Sequence, residues 1–300
     1  MSGTDSVGGI AGRIYNSYSS SSKTTQLSDF KNSGKITGTG SYVGGIVGDC
    51  DCSTMLYIMS FSNTGNVSGK TYVGGIAGFM DAYSDSYIQD SSNASAVSAE
   101  AIVGCIAGKS VDVCVNSCTN AGSSLTATGN VVENGKTYAY VGGYVGYGTG
   151  ANNCVNEVEI KYTGGGACVG GIAGYFKLNG SYSFTQLENK ANVSGADAVG
   201  GIVGRIYNSY SSSSKATQLS NFKNSGSITG TGSYVGGVVG DCDCSTMLYI
   251  TGCDNTGTVQ GTEFVGGIVG YGYGYKGSYI ENSQTQYGEI AGGLKNVTVQ

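Results

Sequence analysis

The stretch Tyr42-Val43-Gly44-Gly45-Ile46-Val47-Gly48 decides the fold, because close copies of it recur along the whole chain. Successive copies are 28 to 38 residues apart, and half of the steps are 30 residues. A period near 30 with insertions in only some repeats predicts a solenoid, in which each unit buries its apolar face by stacking on its neighbours. The copies begin at Val7, Val43, Val73, Val103, Val141, Val169, Val199, Val235 and Val265.

The composition of the 300 residues predicts an all-β protein. There are 54 glycines, and charged residues make up only 12% of the chain, which disfavours helices in general and long solvated helices in particular. Val, Ile and Tyr recur on schedule, which is not typical of a disordered Gly/Ser tract. We predict a right-handed parallel β-helix (β-solenoid) of about nine to ten coils of roughly 30 residues, the hand following the general rule for parallel crossovers.

A second segment of the repeat follows the pattern apolar-x-Asn-x-Gly, as in Phe61-Ser62-Asn63-Thr64-Gly65. Asn tolerates positive φ, so we predict a turn there and a new strand from the next β-branched residue. The apolar position predicts an inward-facing core site. We expect the motif glycines to permit close backbone approach. The apolar position is occupied by Phe30, Phe61, Cys118, Cys154, Leu187, Phe222 and Cys253.

The repeats also have a higher order. Residues 7–58 and 199–250 differ at only five positions, which defines a super-repeat over 7–198 with a partial second copy over 199–300. Because the repeats run from end to end, we predict a single domain over 1–300. The chain opens within a repeat, without a preceding capping helix, and we expect it to be a fragment of a longer repetitive protein.

Charge and hydropathy limit the classes of partner. The net charge is −5 and the 15 basic residues are dispersed, so the basic patch of a nucleic-acid-binding protein is absent. No apolar run approaches the roughly 18 residues that a membrane-spanning helix needs. We therefore predict neither a nucleic-acid partner nor a membrane span.

The cysteines are the sharpest chemical feature of the sequence. Asp-Cys-Asp-Cys occurs at 49–52 and again at 241–244, and thiolates with carboxylates are ligands for soft metals. Two cysteines supply only half of a tetrahedral zinc site, however, and the chain has no His. We predict no metal and no cofactor, and interpret Cys50, Cys52, Cys242 and Cys244 as loop thiols or disulfides. Cys118 and Cys154 fall on adjacent coils, where a disulfide and a buried thiol pair both fit.

The sequence does not predict an enzyme. Without His, a nucleophile triad would need an unusual base, and no Gly-x-Ser-x-Gly elbow occurs. Glu157 and Glu159 would share one face of a strand, which suits a calcium ion or an acid/base pair. We interpret them instead as solvated positions on an outer face, and we predict no catalytic residue.

Tyrosines mixed with small polar residues predict a contact surface, because the ring gives area at low entropic cost and hydroxyls give hydrogen bonds. Such mixtures occupy 14–23, the copy at 206–215 and the Gly-Tyr alternation at 271–275. The rings either contact sugars or a neighbouring fibre, or form ladders that only stabilise the fold. The predicted contact residues are Tyr15, Tyr18, Tyr207, Tyr210, Tyr271, Tyr273 and Tyr275.

The Gly-Gly-Ile-Val-Gly core, with its small-residue turn and period near 30, resembles the GLUG-motif repeats of bacterial surface proteins. The resemblance covers nine copies and departs from the pattern at Val103-Gly104-Cys105, where the second Gly is replaced. It implies a stalk-like or adhesive β-helix of a secreted or wall-anchored protein, and it transfers no catalytic residue.

These observations predict a non-enzymatic structural or adhesive repeat segment, located outside the cell or on its surface. We expect self-association, including end-to-end assembly into fibres, and a host or surface glycan or protein as partner. The alternative is a carbohydrate-binding or carbohydrate-processing β-helix.

Overall fold

The computed structural model describes residues 1–17, 23–120, 124–133 and 135–300. Within these ranges all regular structure is β and no helix occurs, so the prediction of an all-β chain is confirmed. The strands form five sheets, and every pair is parallel except the antiparallel pair Val131–Glu133 with Lys136–Gly142. Two parallel strands cannot be joined by a tight turn and need a long crossover connection. Here the rest of each repeat provides that connection between one strand and its partner in the next repeat.

The sheet formed by the repeated motif, the motif sheet, contains the Val-Gly step of every copy. Its neighbouring strands pair in register, so that Val43 lies beside Val7 on one side and Val73 on the other. Besides Val131–Glu133, its strands are Val7–Gly8, Ser41–Gly44, Thr71–Gly74, Ile102–Gly104, Lys136–Gly142, Ala167–Gly170, Val199–Gly200, Ser233–Gly236 and Glu263–Gly266.

The long-strand sheet follows the motif sheet in each repeat and takes up most of the length variation. Ten of its 14 strands begin near the second half of the motif or of its C-terminal echo at 290–294, the other four continue the same face further along the repeat, and the longest strand has 18 residues. The strands are Ala11–Asn16, Thr24–Ser28, Val47–Cys52, Met55–Met59, Ala77–Gln89, Ala107–Asn116, Val145–Gly148, Ala151–Asn152, Ala173–Leu178, Tyr182–Thr185, Val203–Ser220, Val239–Thr251, Val269–Glu281 and Ala291–Val299.

Short strands complete each repeat. The two asparagine sheets consist of Lys31–Asn32, Ser62–Asn63 and Ser92–Asn93, and of Cys154–Asn156, Leu187–Asn189, Lys223–Asn224, Asp254–Asn255 and Gln284–Thr285. The return sheet consists of Ser2–Gly3, Ile36–Gly38, Val67–Ser68, Val97–Ala99, Leu125–Ala127, Ile160–Tyr162, Val193–Gly195, Ile228–Gly230 and Val259–Gln260.

Two separate apolar clusters lie between these sheets. Val43 belongs to the cluster between the motif and return sheets, whereas Ile46 belongs to the larger cluster beneath the long-strand sheet. The glycines between them explain how one short motif serves both clusters. A Cβ on Gly44 would lie 1.9 Å from the Val47 carbonyl oxygen, and one on Gly45 would lie 2.1 Å from the Gly75 carbonyl oxygen. The prediction of close backbone approach at the motif glycines is therefore confirmed.

The predicted turn is present, because the chain bends two residues after its asparagines at positions such as Gly65 and Gly226, and the asparagine side chains also form a ladder that is buried except at Asn32. None of these asparagines has positive φ. Asn63 Nδ2 donates to Asn93 Oδ1 and to the Gly65 carbonyl, both at 2.8 Å. The bonds continue in two runs because each buried amide needs partners inside the protein. The rungs are Asn32, Asn63 and Asn93, and then Asn120, Asn156, Asn189, Asn224 and Asn255.

Positive φ occurs three residues earlier than predicted in each repeat, at positions such as Ser60 (59°) and Asn221 (57°). Immediately after this bend comes the predicted apolar core position, which is buried in the interior repeats. Phe30 is only half-buried, because its repeat is covered on one side in this structure. The new strand predicted after the turn begins at Ile36, Val67 and Val259.

Candidate interaction surface

The outer face of the long-strand sheet carries two rows of polar and aromatic side chains. Residues alternate between outside and inside along each strand: Phe79 and Asp81 are half-exposed, whereas Met80 and Ala82 are buried. Equivalent residues pair in register from strand to strand. The first row is Arg13, Asp49, Phe79, Lys109, Tyr147, Tyr175, Arg205, Asp241 and Tyr271. The second row lies two residues further along the strands and includes Tyr15, Asp51, Asp81, Val111, Lys177, Tyr207, Asp243, Tyr273 and Lys295.

Aromatic triads form where this row meets the residue that precedes the motif valine. Tyr42 and Tyr72 stack at 5.3 Å with an interplanar angle of 5°, and Phe79 packs edge-on against Tyr42 at 5.4 Å. The second copy repeats the arrangement with Tyr234, Phe264 and Tyr271 at closely similar distances. A third group lies between them and consists of Tyr138, Tyr140, Tyr147 and Tyr175.

The stacked rings sit on an uncommon backbone conformation. Tyr42, Tyr72, Tyr234 and Phe264 have φ between 52° and 64°, a left-handed region that costs a bulky residue about 1–2 kcal/mol. Ring pairs are worth about 0.5–1.5 kcal/mol beyond area burial, which offsets much of this strain. Because stacking covers ring faces, the rings present mainly edges and hydroxyls to solvent.

Charged clusters flank the triads. Arg13 Nε lies 3.2 Å from Asp49 Oδ2, and Arg13 Nη2 lies 3.6 Å from Asp51 Oδ2. Burial raises the pKa of Asp49, although Arg13 opposes the shift. In the centre of the surface, the Lys109 ammonium lies 5.0–5.4 Å from the ring centroids of Tyr72, Phe79 and Tyr147, a cation–π geometry.

The second charged cluster is built from Arg205, Asp241 and Asp243. Arg205 Nε lies 3.0 Å from Asp241 Oδ2 but makes no hydrogen bond, so the contact is an ion pair only. Burial raises the pKa of Asp241 to about 6, against the opposing effect of Arg205. This carboxyl group therefore titrates closer to neutral pH than an ordinary aspartate does.

The structure brings together only some of the predicted contact tyrosines. Tyr207 and Tyr273 lie on either side of Asp243 in register, and Tyr271 is part of an aromatic triad. Tyr15 lies in register with Asp51 on the first strand of the sheet, with the Arg13 guanidinium carbon 5.3 Å from its ring centroid, and it is 63% exposed. Tyr210 and Tyr275 are exposed within the strands Val203–Ser220 and Val269–Glu281. Tyr18 lies outside the described residues.

The Asp-Cys-Asp-Cys segments lie in strands, not in loops as predicted. Cys50 and Cys52 point inward from Val47–Cys52, with Sγ atoms 3.7 Å apart, while the aspartates point outward. The period-2 alternation of the four residues accounts for this placement. Cys242 and Cys244 repeat it, and the Cys244 thiol together with burial holds the pKa of Cys242 well above its ordinary value.

All ten cysteines are free thiols in the structure. Cys118 and Cys154 each place their sulfur 3.3 Å from the carbonyl oxygen two residues earlier, and burial raises the pKa of Cys154 to about 12. Glu157 is exposed and pairs with Lys190 at 3.2 Å, while Glu159 is also exposed. Among the described residues, no three metal-ligating side chains come together.

Apart from Tyr271, sequence reasoning missed the surface residues that lie directly before the motif valine or six positions after it. Their signal was present, because the motif aligns these positions in every repeat and most of them are aromatic or charged. The sequence pattern does not show which face of the sheet these residues occupy. That face depends on the glycine pair of the motif, which separates the residues that enter one apolar cluster from those that enter the other.

No helix among the described residues is long and apolar enough to cross a bilayer. Comparison with protein-family models, curated proteins and solved structures gave no match.

Proposed function

We propose that this chain is a right-handed parallel β-helix that acts as a non-enzymatic structural or adhesive segment outside the cell or on its surface. The observation that carries the proposal is the in-register parallel pairing of equivalent strands from the first motif to the last. Such stacking makes an extended scaffold whose outer rows repeat at the strand spacing of about 4.8 Å. The resemblance to GLUG-motif repeats agrees with this role.

The asparagine ladder supports a structural role. Seven of its amides are at most 2% exposed, and each of the donated bonds to the next rung is 2.7 or 2.8 Å long. A buried amide without its partners costs about 1–3 kcal/mol. A slipped register would break several rungs at once, so the ladder favours one alignment of the repeats.

The duplication supports end-to-end association. Inside the chain, Val203–Ser220 pairs with Ala173–Leu178 on one side and Val239–Thr251 on the other. Among the described residues, Ala11–Asn16 has nearly the same sequence but pairs only with Val47–Cys52. In the assembly that we propose, a second molecule pairs with Ala11–Asn16 as Ala173–Leu178 pairs with Val203–Ser220, and a head-to-tail contact of this kind generates filaments.

Electron microscopy of the purified chain tests this function. We expect rods that join into filaments with a regular axial repeat. As a matched pair, Ile14→Lys places a charge beside the uncovered edge, and Ile160→Val alters an interior return strand. The first variant should lose filaments and the second should keep them. Compact particles without rods would overturn the β-helix, and rods that never join would overturn the assembly.

A further inference from the structure

A cleft opens on the side of the long-strand sheet where two consecutive repeats are shortest. The chain from Val145 to Asn156 is five residues shorter than the chain from Ala77 to Asn93. Longer neighbouring repeats rise on both sides and form walls at 84–86 and 181–184. The walls belong to repeats three apart, so they stand about 14 Å from each other at the spacing of parallel strands.

The cavity between these walls has a volume of about 330 Å³, within the range of sites for small ligands. Its floor includes Asp112, Cys114 and Thr149. A second cavity of about 190 Å³ shares Asp112 and Thr149 with it and is also lined by Lys177. Together the two cavities form a trough across five repeats, since the smaller cavity is also lined by Ser209 of Val203–Ser220.

The lining is rich in groups that bind hydroxyls and amines. Hydroxyl groups come from Thr149 and from serines of both walls. Tyr182 provides an apolar side: its ring lies parallel to Phe184, at 6.1 Å and 16°, and its hydroxyl donates to Asn179 Oδ1 at 2.8 Å. Fixed aromatic rings beside convergent polar groups suit the two faces of a sugar, one apolar and one hydroxylated.

The charged residues that line the cleft favour a cationic ligand over an anionic one. Asp85 and Asp112 line the larger cavity, and among the described residues neither forms an ion pair. Asp112 is half-buried, where a carboxylate is stabilised by an incoming cation more than it would be in bulk water. Among the residues that the structure describes, Lys177 is the one basic residue that lines the trough, and it belongs to the smaller cavity. An acidic sugar would meet two like charges in the larger cavity.

We propose that this cleft binds a saccharide of one or two rings that carries a protonated amine. The inference rests on the adhesive part of the proposed function and gives it a ligand class. The amine lies between the Asp85 and Asp112 carboxylates, the hydroxyls face the serines and Thr149, and the ring packs beside Tyr182.

Titration of the full chain with the β-1,4-linked glucosamine disaccharide, followed by NMR, tests the proposal. We expect saturable binding in the millimolar range or tighter, and at least fivefold weaker binding of cellobiose, which has the same linkage without amines. Asp112→Asn should weaken binding of the amino sugar at least fivefold and leave that of cellobiose nearly unchanged. No saturation by the amino sugar up to about 10 mM, or equal affinity for both sugars, would overturn the inference.

Blocking variants locate the site. Thr149→Trp places a large side chain on the floor of the cleft. Ser183→Trp fills the cleft from an exposed position on the wall, so this substitution should disturb folding less. Either variant should reduce affinity more than tenfold, with an unchanged far-UV circular dichroism spectrum. The matched control is Asp90→Asn, an exposed aspartate with φ 51° outside the cleft. If Ser183→Trp is folded and binds the amino sugar with the native affinity, the proposed site is wrong.

Filament formation by the same variants separates the two proposals. Filaments without sugar binding would overturn the cleft assignment alone. Sugar binding without filaments would overturn the assembly alone.

Discussion

Residues 7–58 and 199–250 have almost the same sequence but occupy different environments. The second copy is covered by repeats on both sides, whereas the first is covered on one. Ile10 is consequently 49% exposed while its counterpart Ile202 is fully buried, and Phe30 is half-buried while Phe222 is fully buried. Equal local sequence thus gives unequal burial, because in a stack of repeats most apolar area is buried by the neighbours.

The same difference extends to the charged clusters. The side chain of Arg13 is 56% exposed and that of Arg205 is 37% exposed. The pKa of Asp49 is raised, and that of Asp241 is raised to about 6, in both cases chiefly through burial. One sequence therefore provides an internal control for the energetic effect of a covering repeat.

The largest difference between the copies is expected at the apolar core position. Phe222→Ala should cost about 4 kcal/mol, since it leaves a cavity in a fully packed site. Phe30→Ala should cost about 1–2 kcal/mol, because the ring retains solvent contact and its main ring partner is Phe61 at 5.2 Å. Urea denaturation of both variants measures the contrast. Equal losses would mean that the first copy is covered in solution.

A smaller difference is expected at the asparagine ladder. Asn224→Ala removes a buried rung that donates to Asn255 and accepts from Asn189, at a cost of about 2–3 kcal/mol. Asn32→Ala should cost about 1 kcal/mol, since water reaches the half-exposed site. Thermal unfolding followed by circular dichroism gives the comparison. A loss at Asn224 no greater than at Asn32 would contradict the burial argument.

Between pH 4.5 and 7, titration of Asp241 should lower the free energy of unfolding of the native chain by about 1–2 kcal/mol. Because the folded-state pKa of Asp241 lies near 6, above the ordinary value, the folded protein holds this proton more tightly than the unfolded chain. The resulting stability is fully present below about pH 4 and is lost as the pH rises to about 6. Unfolding free energies at pH 4.5 and 7 should therefore differ less in Asp241→Asn than in the native chain.

The matched substitution Asp49→Asn should alter this pH dependence less than Asp241→Asn does. An unchanged pH dependence in Asp241→Asn would show that another group is responsible.

The smallest difference is expected in the aromatic triads. The stacked pairs beginning at Tyr42 and Tyr234 have the same centroid distance and nearly the same angle. Tyr42→Leu and Tyr234→Leu should each cost about 1 kcal/mol, and we expect the two values to agree within about 0.5 kcal/mol. The same denaturation assay checks this. A large disparity would mean that the triads, too, depend on the covering repeat.

Much of the fold could be predicted from the repeated motif. The all-β class follows from it, and so do the close approach at Gly44 and Gly45 and the buried apolar position at Phe61, Leu187 and Phe222. These features depend on residue type and period alone. The turn at Asn-x-Gly was also predictable, but the positive φ expected of its asparagines was wrong. The asparagine ladder was missed because its hydrogen-bond partners come from the neighbouring repeat.

The candidate surface was less accessible to prediction. The tyrosine-rich segments indicated Tyr207, Tyr271 and Tyr273 but not Lys109, Tyr140 or Tyr147. The latter become partners through pairing across repeats. The cleft around Asp112 was also missed, since it arises from a difference in length between repeats and has no motif of its own.

The sequence by itself determined the period, the β character and the alternation that sends Cys50 inward and Asp51 outward. Only the tertiary structure decided that Val43 and Ile46 enter different clusters, that the asparagine amides bond to one another, and that two nearly identical segments differ in burial. The physical reason is that alternation and propensity act within a strand. Burial and hydrogen-bond partners are supplied by residues about 30 positions away, in the next repeat.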